Sequence, residues 1–106
     1  MPYIDTALKL DDVPVGQSRC FELGDLQVGI FRNEHGLFAI DNTCPHRGAP
    51  LHTGFLNDGQ VTCPWHQWQF QLKDGVCSNI PNIKIPTYAI EVRDGGIWID
   101  LNDPKA

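Results

Sequence analysis

Cys44, His46, Cys63 and His66 are the residues of this chain whose types and spacing could do chemistry. They stand in two short groups, Cys44-Pro45-His46 and Cys63-Pro64-Trp65-His66, separated by residues 47–62. Each group supplies one thiolate and one imidazole. Two of each suit a core of two irons and two sulfides in which one iron takes both Cys and the other both His. The same four donors also suit a single tetrahedral Zn²⁺. Zinc fingers, however, usually put two Cys together and two His together at wider His spacing, whereas each group here is mixed. A purely structural reading, with buried Cys and satisfied His, needs these four residues, two Pro-bearing loops and the adjoining Gly to coincide by chance.

The flanking residues narrow the choice. The chain reads Cys44-Pro45-His46-Arg47-Gly48-Ala49-Pro50-Leu51 and later Cys63-Pro64-Trp65-His66-Gln67-Trp68-Gln69-Phe70. This resembles the signature of the Rieske [2Fe–2S] ferredoxin family, and the resemblance runs from about Leu26 onward. It implies one Rieske-type [2Fe–2S] cluster, with Cys44 and Cys63 on an inner iron and His46 and His66 on an outer, solvent-facing iron. It also places Arg47, Gly48, Trp65, Gln67 and Pro81 around the ligands, Trp65 as packing or shield and Pro81 in a third loop over the cluster. Pro45, Pro50 and Pro64 stiffen loops that lack ladder hydrogen bonds, and Gly48 and Gly54 permit close approach of backbone to sulfide.

Formal charge explains what His ligation does. Two ferric ions, two sulfides and two thiolates sum to zero, while four thiolates would leave the oxidised site two units more negative. Adding an electron to a neutral site in a low dielectric is less opposed, so the potential rises above that of a four-Cys ferredoxin. High-potential Rieske proteins add a Cys to each ligand loop and a Ser hydroxyl after the second His. Here no further Cys occurs in either loop and the last position is Gln67. Fewer donors to the sulfurs imply a potential near the low end, on the order of −150 mV. The resemblance further implies exposed imidazoles whose deprotonation lowers the potential at alkaline pH.

Composition bounds the partners. The chain has 106 residues, 42% of them apolar and 20% charged, which reads as one globular domain over residues 1–106. Eight Lys and Arg against thirteen Asp and Glu give a net charge of −5. No basic cluster favours nucleic acid or an anionic membrane, and an acidic carrier suits a partner with a basic face. No apolar run reaches the length of a membrane span. Met1-Pro2-Tyr3-Ile4-Asp5 lacks the features of a secretory signal. Cys20 and Cys77 are too few for a disulfide framework and read as small buried apolar residues, so a reducing cytoplasm is expected.

The elements that must position the ligands are short strands. Arg19 to Leu23, Leu26 to Arg32, Leu37 to Asp41, Gly54 to Leu56, Gln60 to Thr62, Thr87 to Arg93 and Ile97 to Leu101 are strand candidates between turn residues. A four-residue loop, Asn33 to Gly36, joins Leu26 to Arg32 and Leu37 to Asp41 as a hairpin, with His35 solvated in it. Gln67 to Leu72 alternates polar and apolar, so Trp68, Phe70 and Leu72 are expected to face a core and the three Gln to face outward. Lys9 to Gly16 reads as loop, Asn79 to Pro86 as irregular, and no stretch carries a helical period. The expectation is an all-β fold, an antiparallel sandwich or barrel of about eight to ten strands. By resemblance it carries a small inserted cluster-binding subdomain at about residues 43–80.

Function follows from the resemblance. A soluble ferredoxin would pass single electrons from a flavin reductase to an oxygenase or similar terminal enzyme, and would not be an enzyme on its own. The alternative is the small subunit of an assimilatory NAD(P)H nitrite reductase, bound to a large subunit. A non-redox binding module, holding zinc or nothing, predicts a colourless protein. No nucleotide-binding Gly motif is present, so reductase activity belongs to a partner. His52 lacks a Cys at ligand spacing and reads as a surface residue or a support to the ligands.

Overall fold

The computed structural model describes residues 3–44, 50–57, 59–64 and 68–105, with side chains described up to Asp100. Among them there is no α-helix, only nine strands and two 3₁₀ turns, Leu10–Asp12 and Leu51–Thr53. The strands are β1 (Tyr3–Lys9), β2 (Ser18–Leu23), β3 (Leu26–Asn33), β4 (Gly36–Asp41), β5 (Phe55–Asn57), β6 (Gln60–Thr62), β7 (Gln69–Gln71), β8 (Thr87–Arg93) and β9 (Gly96–Lys105).

Six strands form a nearly closed, barrel-like antiparallel sheet in the order β1-β9-β8-β4-β3-β2, and β5-β6-β7 form a second, small sheet. This is the all-β architecture that the short, turn-bounded strands predict. Turn chemistry sets the hairpins. Asp94 and Gly95 both have positive φ (51° and 79°) and leave Arg93 facing Gly96, the two-residue turn that Asp-Gly favours.

The hairpin of β3 and β4 is tighter than the sequence reading gives. Asn33 pairs directly with Gly36, so Glu34 and His35 alone make the turn, helped by the His35 N–H donating to Asn33 Oδ1 at 2.8 Å. β1 has no counterpart in the sequence reading. Its one buried residue is a threonine, Thr6, whose Oγ1 donates to the Ile97 carbonyl at 2.7 Å. A positive φ at Ala7 (64°) breaks its register against β9. A polar inward residue and a bulge erase the period-two signal.

Two apolar cores lie on opposite faces of β3 and β4. Val28, Ile30 and Ala39 join Val13, Tyr88, Ile97 and Ile99 inside the framework. Phe31 and Ile40, adjacent in sequence and so on the other face, join Leu51, Val61, Phe70, Leu72, Cys77 and Ile85. That second core holds the small sheet against the framework. The segment between Asn42 and Pro86 leaves the large sheet after β4 and re-enters it in β8, whose Tyr88 and Thr87 pair with Ala39 and Ile40. The Asp41 N–H donates to the Pro86 carbonyl at 2.9 Å, closing the base of the excursion.

Candidate metal centre

Cys44 and Cys63 follow directly from the elements that carry them. Cys44 stands three residues after β4 and Cys63 immediately after β6. Both are 1% exposed and both belong to the second core, among Leu51, Val61 and Phe70. His46 and His66 lie outside the described residues, as do Pro45, Arg47, Gly48, Trp65 and Gln67.

Each loop is closed at its base by backbone hydrogen bonds. Around the first, Thr43 bridges to Pro50, and the Leu51 N–H donates to the Asn42 carbonyl at 2.7 Å. Around the second, the Cys63 N–H donates to the Trp68 carbonyl at 2.7 Å. Residues 64–67 are therefore spanned by a bond whose donor is the residue bearing the thiol. Trp68 itself is partly buried against the second core, while Phe70 (0% exposed) and Leu72 (2%) are inside it, as the alternation predicts. Gln69 and Gln71 are half-buried on the other face.

Gly54 brings the two loops together. A Cβ at this position would overlap the Thr62 carbonyl oxygen, one residue before Cys63. The close approach that glycine permits here is backbone to backbone. Pro81 lies in an exposed turn whose Ile83 N–H donates to the Ile80 carbonyl at 2.9 Å. That turn is tied to β7 at Gln69, which donates its N–H to Asn79 Oδ1 (2.8 Å) and accepts from the Ser78 N–H (2.7 Å). The Pro81 segment is thereby fixed beside the strand that follows the second loop.

The remaining cysteines separate. Cys77 is fully buried in the second core, as a small apolar residue should be. Cys20 on β2 is only half-buried, and burial followed by the charge of Glu22 pushes its thiol above the ordinary value. Sequence reasoning passed over Asn42, which is 0% exposed beside the first loop. The signal available for it was a lone amide directly after the apolar β4 run and two residues before Cys44. Among the described residues no group of three His, Cys, Asp or Glu side chains gathers, and no helix is long and apolar enough to cross a membrane.

The donor chemistry fits a cluster with two thiolate and two imidazole ligands. Two cysteines shielded from water in one apolar core suit an inner iron, and the backbone flanking them meets at Gly54 and Thr62. Comparison with known proteins agrees. The sequence profile of the Rieske [2Fe-2S] domain matches residues 5–89. The chain is 31% identical over 98 residues to the ferredoxin component of the alkene monooxygenase system of Xanthobacter autotrophicus, covering 92% of this chain and 80% of that one. It is 31% identical over 100 residues to the ferredoxin component of the naphthalene 1,2-dioxygenase/salicylate 5-hydroxylase systems of Ralstonia sp, covering 93% and 95%. A solved structure assigned to the NADH-dependent nitrite reductase small subunit of Mycobacterium tuberculosis matches with a TM-score of 0.83 and 28% identity, over 92% of each chain. Other relatives are much longer. This chain spans 16% of the chlorophyllide a oxygenase of Oryza sativa subsp. japonica, to which it is 38% identical over 92 residues. It spans 24% of the 4beta-methylsterol monooxygenase of Methylococcus capsulatus, at 35% identity over 89 residues. The cofactor of this domain is a Rieske-type [2Fe–2S] cluster. Donor set, fold and sequence profile agree, and the chain belongs to the Rieske [2Fe-2S] domain family.

Proposed function

We propose that this chain is a one-electron carrier, a ferredoxin that takes electrons from a flavin reductase and delivers them to an oxygenase or similar terminal enzyme. The observation that carries this reading is the burial of Cys44 and Cys63 in one apolar core. The two ferredoxin components it resembles support it, because they match along most of their own length and not as a fragment of a larger enzyme. On this reading Cys44 and Cys63 hold the inner iron, and His46 and His66 the outer one. When bound, the cluster supplies reversible one-electron chemistry with little movement of its ligands.

The residues of the chain then have three tasks. The two thiolates, kept from water, give their iron a low-dielectric surrounding. The braced loop bases hold the thiolates at a fixed separation. The imidazoles carry the path by which a partner reaches the centre. Between Asn42 and Leu72 the sequence has only Arg47 and Asp58 as charged residues, so the candidate ligand segment is balanced in charge. The acidic excess belongs to the framework. Catalysis rests with the partners, and the Cys20 and Cys77 thiols fit a reducing, cytoplasmic setting.

The test is an EPR spectrum of the dithionite-reduced protein together with iron and acid-labile sulfide analysis. Equal iron and sulfide with a low average g is the expected result. A single zinc without sulfide would overturn the proposal. The nitrite reductase match favours a second reading, a small subunit held on a large reductase chain. Co-purification with a sirohaem-containing chain at fixed stoichiometry selects that reading, and its absence selects the diffusing ferredoxin.

A further inference from the structure

The loop from Thr43 to Leu51 is closed by a residue that is not a ligand. Asn42 is fully buried, and each of its polar groups is engaged. Its N–H donates to the Gln27 carbonyl at 2.9 Å, and its carbonyl accepts the Leu51 N–H at 2.7 Å. Its side-chain Oδ1 accepts the His52 N–H at 2.8 Å. A backbone N–H can only donate, so this bond fixes which end of the amide is oxygen. Nδ2 is then turned to His52 Nδ1 at 2.8 Å and to Cys20 Sγ at 3.5 Å. Because Nδ2 can only donate, Nδ1 accepts, and the neutral His52 ring carries its proton on Nε2.

One side chain therefore ties the entry of the loop to its exit. The tie continues into the framework, where Ser18 Oγ on β2 donates to the His52 carbonyl at 2.7 Å. The framework also makes room for it. Gly29 on β3 has no positive φ, yet a Cβ there would lie 2.7 Å from Asn42 Oδ1 and 2.5 Å from Phe31 Cε1. Glycine at this position serves space, not backbone conformation. A buried amide with every bond made, in a slot that a neighbouring strand leaves open, is costly to disturb, because each lost partner strands a desolvated group.

We infer that Asn42 is the positioning residue of the first ligand loop, setting the approach of Cys44 to its iron by tying the loop's entry to its exit at His52, with Gly29 reserving its place. The inference rests on the proposed ligand assignment, and a wild-type protein without iron and sulfide would refute that assignment itself. With the cluster present, the experiment follows bleaching by a strong iron chelator and the EPR g-values of the reduced protein. Asn42→Ala is expected to bleach about tenfold faster, the size of loss typical when a support to a metal ligand is removed, and to shift the g-values. His52→Ala and Gly29→Ala, which act on the same tie from its two sides, are expected to change both readouts in the same direction by less. Ile99→Val lowers framework stability without touching the loop, and is expected to bleach at the wild-type rate. Wild-type bleaching and g-values in Asn42→Ala would overturn the inference. So would equal acceleration in Ile99→Val. Should Asn42→Ala not fold, wild-type behaviour of both His52→Ala and Gly29→Ala overturns it.

Discussion

Gly54 lies so close to the carbonyl oxygen of Thr62 that a methyl group on Gly54 would overlap it. Its φ of −82° is ordinary for any residue, so the demand for glycine is one of space. This contact gauges the distance between the two candidate ligand loops. Gly54→Ala is expected to lose about 1–3 kcal/mol of stability and part of its iron, read by denaturant titration and iron assay. Gly95 is the converse, with φ 79° and open space around it. Gly95→Ala should cost about 1–2 kcal/mol from conformation alone and keep its iron. A Gly54→Ala protein with full iron and unchanged stability would show that the gauge lies elsewhere.

Phe70 joins the small sheet to the rest. It is fully buried, pairs with Val61 on β6 and bridges to Cys77. Phe70→Ala should lower stability by about 3–5 kcal/mol. Because its surroundings include Cys44 and Cys63, iron content should fall as well. Calorimetry and metal analysis on the same preparation check both.

Cys20 should set an alkaline limit. Its thiol is pushed up from 9.0 by burial and then by Glu22, so the fold holds the protonated form. The unfolded chain ionises first as pH rises. This contribution is therefore complete below about pH 9 and is lost as pH climbs through the folded value. Tyr88, raised from 10.0 by burial and then by Asp41, adds a later decline of the same sign. Stability measured across this range should fall less steeply in Cys20→Ser, and Cys20 in the native protein should react with iodoacetamide more slowly at pH 8 than a free cysteine.

Gln67 stands where high-potential relatives of this family are expected to offer a Ser hydroxyl to a cluster sulfur. A redox titration should place the midpoint near the low end of the Rieske range, on the order of −150 mV. Gln67→Ser should raise it by supplying a donor that favours the reduced, more negative sulfur. A wild-type midpoint above zero would contradict this.

Much of the fold was legible because its strands are bounded by Gly, Asp and Asn and buried on alternating positions. Gln69 to Leu72 shows this plainly, with Phe70 and Leu72 inside. β1 was illegible for a physical reason, since its inward residue is Thr6 and Ala7 turns left-handed. Of the proposed ligands, Cys44 and Cys63 are placed together in one core. The role of Asn42 was hidden for a different reason. Gln27 is brought to it by strand pairing and Leu51 and His52 by the 3₁₀ turn after the loop, and no spacing rule on a single chain encodes such a junction.

The seam between β4 and β8 has an evolutionary consequence. Everything from Asn42 to Pro86 departs and returns across two adjoining strands, tied at the base by the Asp41 N–H to the Pro86 carbonyl. Such a seam lets a redox cassette be grafted onto another β-barrel hairpin with little loop-closure entropy to overcome. The recipient needs apolar residues where Phe31 and Ile40 stand, to receive the underside of the graft, and counterparts of Ser18, Gln27 and Gly29 to seat His52 and Asn42.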